Sequence, residues 1–309
     1  MNKNIFHNKL VCPNCFGNLN FNYTEILCKN CMYEYEILEE IPILLTEDHS
    51  VFKKNFFVTN KKQIKDMYRD LSDYNHDDYK NRFSVFINYG YINEEATQNT
   101  RIKTEKLLIN KKYIRLLVEV IGENNLDNKS ILEIGCGRGG NLDTLSNYFN
   151  STELNGLDLS YDNIKFCKTR YDKKNISFVV GDAEDIPFRD DSVDVVLNIE
   201  SALHYPNIEK FYKNVYRILN AEGIFLYADI ISNQEIFQRE KMLRDVGFSI
   251  NRKQNITPQV LLSLSEELKN NLMDELKLKE LNEFQHHQTY TKMKQGEMVY
   301  VIYNLLKTS

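Results

Sequence analysis

Tryptophan is absent from the 309 residues, and so is any surplus of positive charge. Lys and Arg number 39 against 44 Asp and Glu, a formal net charge of −5 at neutral pH. General nucleic-acid binders carry a basic surplus that attracts phosphate, so this balance weighs against that class, though it leaves room for a local basic patch. No apolar run approaches the roughly 20 residues that span a bilayer as a helix. The opening residues, MNKNIFHNKLVCPNC, lack the apolar core of a secretory signal. A cytoplasmic protein with reduced cysteines is therefore expected. What is present is ordinary for a globular chain: 42% hydrophobic and 27% charged residues, which excludes wholesale disorder. The length exceeds one typical domain, so a main domain with additions is expected.

Four of the six cysteines fall in the first 31 residues. Cys12 and Cys15 form one CxxC pair, and Cys28 and Cys31 form another after twelve residues. Each CxxC is a tight turn that aims two sulfurs at one point. The intervening Leu19-Asn20-Phe21-Asn22-Tyr23 and Glu25-Ile26-Leu27 alternate as a hairpin does, and a hairpin would bring the two turns together. Four thiolates arranged so suit structural zinc, with disulfides or free thiols as the alternative. The segment resembles the small zinc-ribbon proteins that activate tRNA and rRNA methyltransferases, over roughly residues 10–46, with Glu40 at their usual Gly before the Ile-Pro pair. Cys136 and Cys167 read as small buried residues.

A strand, a glycine-rich turn and a helix follow in SILEIGCGRGGNLDTLS, residues 130–146. Glycines let backbone pass close to a nucleotide-like ligand, but dehydrogenases share such a turn. Four later signals supply context. Leu154 to Asp158 is a second strand ending in an acid suited to ribose hydroxyls. Ile176 to Val180 is a third strand, followed by GDAEDIPF. SVDVVLNIESALHYP is a fourth strand running into a polar loop. NVYRILNAEGIFLYADI is a helix, a turn at Gly223 and a fifth strand. This alternation implies a parallel doubly wound sheet with its ligand at the C-terminal strand ends.

Together these motifs resemble the class I S-adenosylmethionine-dependent methyltransferases. The resemblance implies an α/β, Rossmann-like seven-stranded sheet and S-adenosyl-L-methionine as cofactor. It implies that Gly135, Gly137 and Gly139 approach the amino-acid part, that Asp158 holds the ribose, and that Asp182 and Ala183 meet the adenine. Asn198 would line the methionine end, and Glu133 and Leu159 complete the cofactor-binding set. Over roughly residues 84–309 the chain is similar to the phthiotriolone and phenolphthiotriolone dimycocerosate methyltransferases, O-methyltransferases of a large lipid-like polyketide. It departs from them at Ala221-Glu222-Gly223, where they have PGG, and at Leu203, where they have the loop histidine that here follows as His204.

Methyl transfer to a hydroxyl needs orientation and a base. His204, in the loop after the fourth strand, has the titration range for that work. Asp229, at the end of the fifth strand, is expected to orient it, a pairing that resembles sugar O-methyltransferases. Glu200 is a third catalytic candidate, or a partner for the cofactor's amino group. His286 and His287 read as a solvated helix end, and His7, His49 and His76 have no partner at ligand spacing.

The expected organisation is a zinc ribbon at 1–48, a helical cap and linker at 49–129, and a methyltransferase domain at 130–309. The cap contains the aromatic run RFSVFINYGYI, with Phe83, Phe86, Tyr89 and Tyr91, similar to the NYGYW stretch of lipid and tocopherol methyltransferases. A helical insertion at about 257–295, with Val260, Leu261, Leu264, Leu268, Leu272, Leu276 and Leu281 at helical spacing, reads as a lid over an apolar acceptor pocket or as a homodimer contact. The expected function is methyl transfer to a small-molecule acceptor, an O-methylation in secondary metabolism. The alternative is an rRNA or tRNA base methyltransferase guided by the ribbon. Against it stand the acidic balance and NIESALHYP in place of an NPPY-type loop.

Overall fold

The computed structural model describes residues 3–46, 85–93, 101–107, 109–271 and 282–308. Phe83, His49, His76, Leu272, Leu276 and Leu281 lie outside them, as do the side chains of Leu268, His286 and His287.

The chain opens with α1 (Lys3–Lys9) and four short antiparallel strands: β1 (Leu19–Phe21), β2 (Glu25–Cys28), β3 (Glu34–Leu38) and β4 (Ile41–Leu44). The two CxxC turns are built alike. Phe16 N–H donates to the Cys12 carbonyl at 2.7 Å, and Met32 N–H donates to the Cys28 carbonyl at 3.1 Å. Phe16 and Met32 both take positive φ, 55° and 57°, to close these turns.

The main sheet starts with β5 (Ser130–Ile134), where every residue is buried, as expected of a strand covered on both faces. It continues through β6 (Glu153–Asp158), β7 (Ile176–Gly181), β8 (Val193–Ile199) and β9 (Leu219–Ser232), in the parallel order β7-β6-β5-β8-β9. Beyond β9 the chain forms β10 (Phe248–Asn255) at the edge, and β11 (Met298–Lys307) returns between β9 and β10, antiparallel to both. These seven strands are the expected class I sheet. One boundary differs from expectation. The turn expected at Gly223 before the fifth strand is absorbed into β9, which begins at Leu219 and pairs Leu219 with Val193.

The helices on the faces are α2 (Lys111–Ile121), α3 (Gly140–Tyr148), α4 (Tyr161–Arg170), α5 (Ile208–Ile218) and α6 (Ile236–Val246). Their ends follow local chemistry. Ser160 caps α4 by accepting Asn163 N–H, Asn207 caps α5 by accepting Lys210 N–H, and Gly247 ends α6 at φ 118°. The insertion holds α7 (Thr257–Asn271) and α8 (Asn282–Lys294). Val260 and Leu264 of α7 and Met293 of α8 are buried. No helix among the described residues is long and apolar enough to cross a membrane.

Two further features depart from expectation. The expected helical cap is helical at 111–121, but residues 85–93 form an irregular strap. Their backbone groups are taken by other elements: Tyr91 N–H donates to Lys112 O at 2.9 Å, and Gly140 N–H donates to Val85 O at 3.1 Å. A segment whose hydrogen bonds run to its neighbours in this way has no i→i−4 ladder of its own. The ribbon, moreover, joins the main sheet. β4 runs parallel to β7, with Ile43 opposite Val180 and Leu44 opposite Gly181. Around that seam Val11 N–H donates to Pro187 O at 3.0 Å, Arg189 N–H to Lys9 O at 2.8 Å, and the Arg217 guanidinium stands over the Phe16 ring at 4.3 Å. Phe6, Leu10, Ile26, Tyr35 and Leu44 pack into the same apolar cluster as Leu132, Val179 and Phe188.

Leu44 is fully buried on this seam. Leu44→Ala should therefore lower unfolding stability by about 2–5 kcal/mol in urea titrations. A loss below about 1 kcal/mol would mean that the ribbon edge adds little to the shared core.

Candidate functional site

The strand order reverses on either side of β5, with β6 on one flank and β8 on the other. Crevices for ligands open at such a switch point, beyond the C-terminal strand ends. Here a cavity, open to solvent, is lined by residues that leave β5, β6, β7 and β8.

Its floor is the glycine turn. Gly135 and Cys136 N–H both donate to the Leu157 carbonyl, at 2.8 and 3.1 Å, which bends the chain sharply as it leaves β5. Gly135 has φ 68°, and a Cβ there would lie 2.0 Å from Ser201 Oγ, so no side chain fits. Gly139 differs. It does not line the cavity, and a Cβ there would meet the Tyr171 ring at 2.7 Å, so its smallness serves packing.

Acidic residues stand around this floor. Asp158 Oδ2 accepts Gly137 N–H at 2.8 Å, and its Oδ1 accepts Ser160 N–H at 2.9 Å. Burial raises its pKa. Oδ1 also accepts Asn163 Nδ2 at 3.4 Å, so it is Oδ2 that keeps a further lone pair for a ligand hydroxyl. Glu133 Oε1 accepts Asn141 Nδ2 at 2.7 Å, while its buried Oε2 has no protein partner. Burial pushes the Glu133 carboxyl up to about 8, with the nearby Asp158 adding to the shift. Asp182 turns one oxygen to Glu184 N–H at 2.8 Å, and Leu159, Asp182 and Ala183 line the wall.

The opposite wall comes from the loop after β8. His204 ends a single 3-10 turn, Ala202–His204, and lines the cavity with Ser201, Tyr205 and Pro206. Burial holds the His204 imidazole below its usual 6.5. Asn198 stands behind this wall. It is fully buried and donates to Ile134 O at 2.9 Å and to Tyr205 Oη at 3.2 Å, and it is not a lining residue. Asp229 is likewise off the wall. Its carboxylate takes Ile230 N–H at 2.8 Å and Tyr227 Oη at 3.4 Å. Burial raises it to about 7, with Arg239 nearby opposing the shift. The backbone N–H of Leu203, one residue before His204, also helps to hold this carboxyl down. Glu200 lines the cavity, its carboxylate accepting Tyr89 N–H at 3.0 Å and Tyr300 Oη at 2.9 Å.

The strap closes the remaining side with Val85, Phe86, Ile87 and Asn88. Sequence reasoning singled out Phe86 and Tyr89 by their aromatic run but missed Ser201, Tyr205 and Tyr300. Ser201 and Tyr205 share a hydrogen bond of 2.6 Å beside Gly135. The HYP triplet carried a signal for Tyr205, whereas nothing in the β11 pattern marks Tyr300 as a neighbour of Glu200.

In the ribbon the four cysteines meet. The sulfurs of Cys12, Cys15, Cys28 and Cys31 all lie within 4.8 Å of one another, with Cys12 and Cys31 at 3.6 Å and Cys15 and Cys28 at 3.5 Å. None of them is in a disulfide.

Residues 132–227, which carry the turn, the acids and the His204 loop, match a family model described as a methyltransferase domain. A fatty-acid O-methyltransferase of Mycolicibacterium smegmatis is 35% identical over 184 residues, 60% of this chain and 66% of that protein. A probable phthiotriol/phenolphthiotriol dimycocerosates methyltransferase 2 of Mycobacterium ulcerans is 35% identical over 177 residues, 57% of this chain and 68% of that protein. The chain thus spans about two thirds of the length of these curated relatives. Among solved structures, a geranyl diphosphate methyltransferase in complex with GPP and sinefungin shares the fold, with a TM-score of 0.60, 15% identity, and coverage of 81% of this chain and 100% of that one. On these grounds the chain belongs to the class I S-adenosylmethionine-dependent methyltransferases, in the family that includes the phthiotriol/phenolphthiotriol dimycocerosates methyltransferases.

Proposed function

We propose that this protein is an O-methyltransferase that transfers the methyl group of S-adenosylmethionine to the hydroxyl of a lipid-like or polyketide-like small molecule. The observation that carries this reading is the single cavity shared by the glycine turn, four carboxylates and His204. The cofactor is a cation at its sulfonium and its ammonium, and the cavity wall is acidic. The buried Glu133 Oε2, without a protein partner, suits a donor such as the ammonium. Asp158 suits the ribose hydroxyls, and Leu159, Asp182 and Ala183 the adenine. The cofactor, when bound, supplies an electrophilic methyl carbon for in-line displacement.

The residues of this chain then supply orientation and a base. His204, kept neutral near pH 7 by burial, is suited to accept the acceptor's hydroxyl proton as its oxygen attacks. Asp229, off the cavity wall and beside the Leu203 backbone N–H, is suited to steady the His204 loop. The apolar strap residues Val85, Phe86 and Ile87 favour an apolar acceptor, and the carboxylates of the wall disfavour an anionic one. The acceptors for which the two relatives are named, a fatty acid and phthiotriol, agree with a lipid-like class, and the acidic wall favours the alcohol over the carboxylate. RNA is disfavoured by the overall charge of −5.

The ribbon is read as a structural zinc site. A tetrahedral ion with Zn–S near 2.3 Å sets its sulfurs about 3.8 Å apart, close to the spacings of Cys12 to Cys31 and Cys15 to Cys28. Four protein ligands leave no open position, so zinc there would supply cross-linking of the two turns and no chemistry.

His204→Ala should lower turnover about 100-fold while affinity for S-adenosylhomocysteine, read by calorimetry, stays within about threefold. Undiminished turnover would remove His204 as the base. The pH profile of kcat/KM should rise on a pKa below 6.5 and be flat above neutrality, because the active form is the neutral imidazole and burial favours it. A rise centred well above 6.5 would contradict that assignment. Metal analysis should find about one zinc per chain, and chelation at elevated temperature should lower the Tm; a metal-free chain of unchanged Tm would rule out the structural role. Labelled cofactor incubated with total RNA should leave the RNA unlabelled, and stoichiometric labelling would overturn the small-molecule reading.

A further inference from the structure

Glu200 carries three features that a wall residue need not have. Its φ is 52°, a left-handed conformation that is costly with a side chain present. Its backbone is held there by its N–H, which donates to Ala228 O at 2.9 Å. Its carboxylate is already committed, with both oxygens 3.0 Å from Tyr89 N–H and one 2.9 Å from Tyr300 Oη. A carboxylate so engaged is poorly placed to take a substrate proton, but it is well placed to hold a segment of chain.

That segment is the strap. Ile87 lies over the glycine turn, its Cδ1 3.3 Å from where a Gly137 Cβ would be. One residue beyond Tyr89, the chain squeezes between α2 and α7 at Gly90, where a Cβ would lie 2.8 Å from Ser263 Oγ and 2.9 Å from Lys112 Cγ. Ser263 Oγ donates to Tyr89 O at 2.5 Å, and Ile92 N–H donates to Gln259 O at 3.3 Å. The same few residues therefore touch Glu200 at the cavity, Tyr300 of β11 through Glu200, and α7 of the insertion.

We propose that Glu200 is a positioning residue that latches the 85–91 strap over the cofactor cavity. Ligand exchange at the glycine turn then waits on release of Tyr89 from Glu200. Because Ser263 and Gln259 hold the same strap, the α7 helix of the insertion and the cofactor cavity open as one unit. This rests on the reading that the cavity holds S-adenosylmethionine.

The test is the dissociation rate of S-adenosylhomocysteine from the full chain by stopped flow, together with hydrogen exchange of the 85–92 amides. Glu200→Ala should speed dissociation about tenfold or more and deprotect those amides, since it removes hydrogen bonds to a charged acceptor. Glu200→Gln, whose carboxamide oxygen still accepts Tyr89 N–H, should recover most of the slow rate. Wild-type rate and protection in Glu200→Ala overturn the latch. A Glu200→Gln protein as fast as Glu200→Ala also overturns it, because the charge itself then contacts the ligand. Should Glu200→Ala fail to fold, Tyr300→Phe removes one latch bond alone and should speed dissociation about threefold; an unchanged rate overturns the proposal. Failure of the wild-type chain to bind S-adenosylhomocysteine is seen before any variant is compared, and it defeats the cofactor reading instead.

Discussion

The sharp bend after β5 is the constraint on which the site depends. One carbonyl, that of Leu157, accepts both Gly135 and Cys136 N–H. One carboxylate, that of Asp158, accepts Gly137 N–H. These bonds tie the ends of β5 and β6 together and hold the glycine turn open toward solvent. Everything on the cavity wall takes its position from that floor. Ser201 fills the space that a side chain at Gly135 would need, and Ile87 of the strap comes down on Gly137. The electrostatic cost of gathering Glu133 and Asp158 in a buried place is visible in their raised pKa values. A cationic ligand relieves such a cost, and so the burial that raises these pKa values also suits the cavity to a sulfonium cofactor.

The additions to the sheet are not appendages. The ribbon donates β4 to the β7 edge, and it shares an apolar cluster with the face of the sheet that carries Leu132 and Val179. An exposed strand edge invites unwanted pairing, and β4 covers it at the position where Leu44 meets Gly181, one residue before Asp182. The other additions meet on the far side of the cavity. There the strap is bound by α2, by the insertion helix α7 and by Glu200. The ribbon is also tied to the main domain by the surface ion pairs Lys9–Glu153, Lys165–Glu39 and Lys168–Glu40, but such pairs contribute little, and the backbone bonds and shared apolar cluster matter more.

Much of this was legible in the chain because it is local chemistry. The SILEI strand, the CxxC turns and the alternation of strands with helices announce themselves through apolar runs, spacing and period, and β10, the insertion and β11 followed at the expected places. Less legible was anything that depends on which way a strand side chain points at the end of a sheet. Asn198 stands one residue from the end of β8, and Asp229, expected at the end of its strand, lies three residues inside β9; the structure turns both behind the wall. His204, one register position from the family's histidine, does line the cavity. The strap falls within the segment expected to be a helical cap, yet it is not helical. Its irregular path is set by hydrogen-bond partners on elements far away in sequence.

The amino-acid sequence by itself determined the class of fold, the cysteine cluster and several of the groups that line the cavity, among them Glu133, Asp158, Asp182 and His204. Those follow from backbone propensity and from motifs of a few neighbouring residues. Only the tertiary structure decided what Glu200 and Asp229 touch. Tyr89 and Tyr300 stand 111 and 100 residues from Glu200 in the chain. Contacts at that separation are chosen by how the sheet, strap and insertion pack, which no local pattern encodes. The same holds for β4, whose pairing with β7 depends on a free strand edge that exists only once the main sheet has formed.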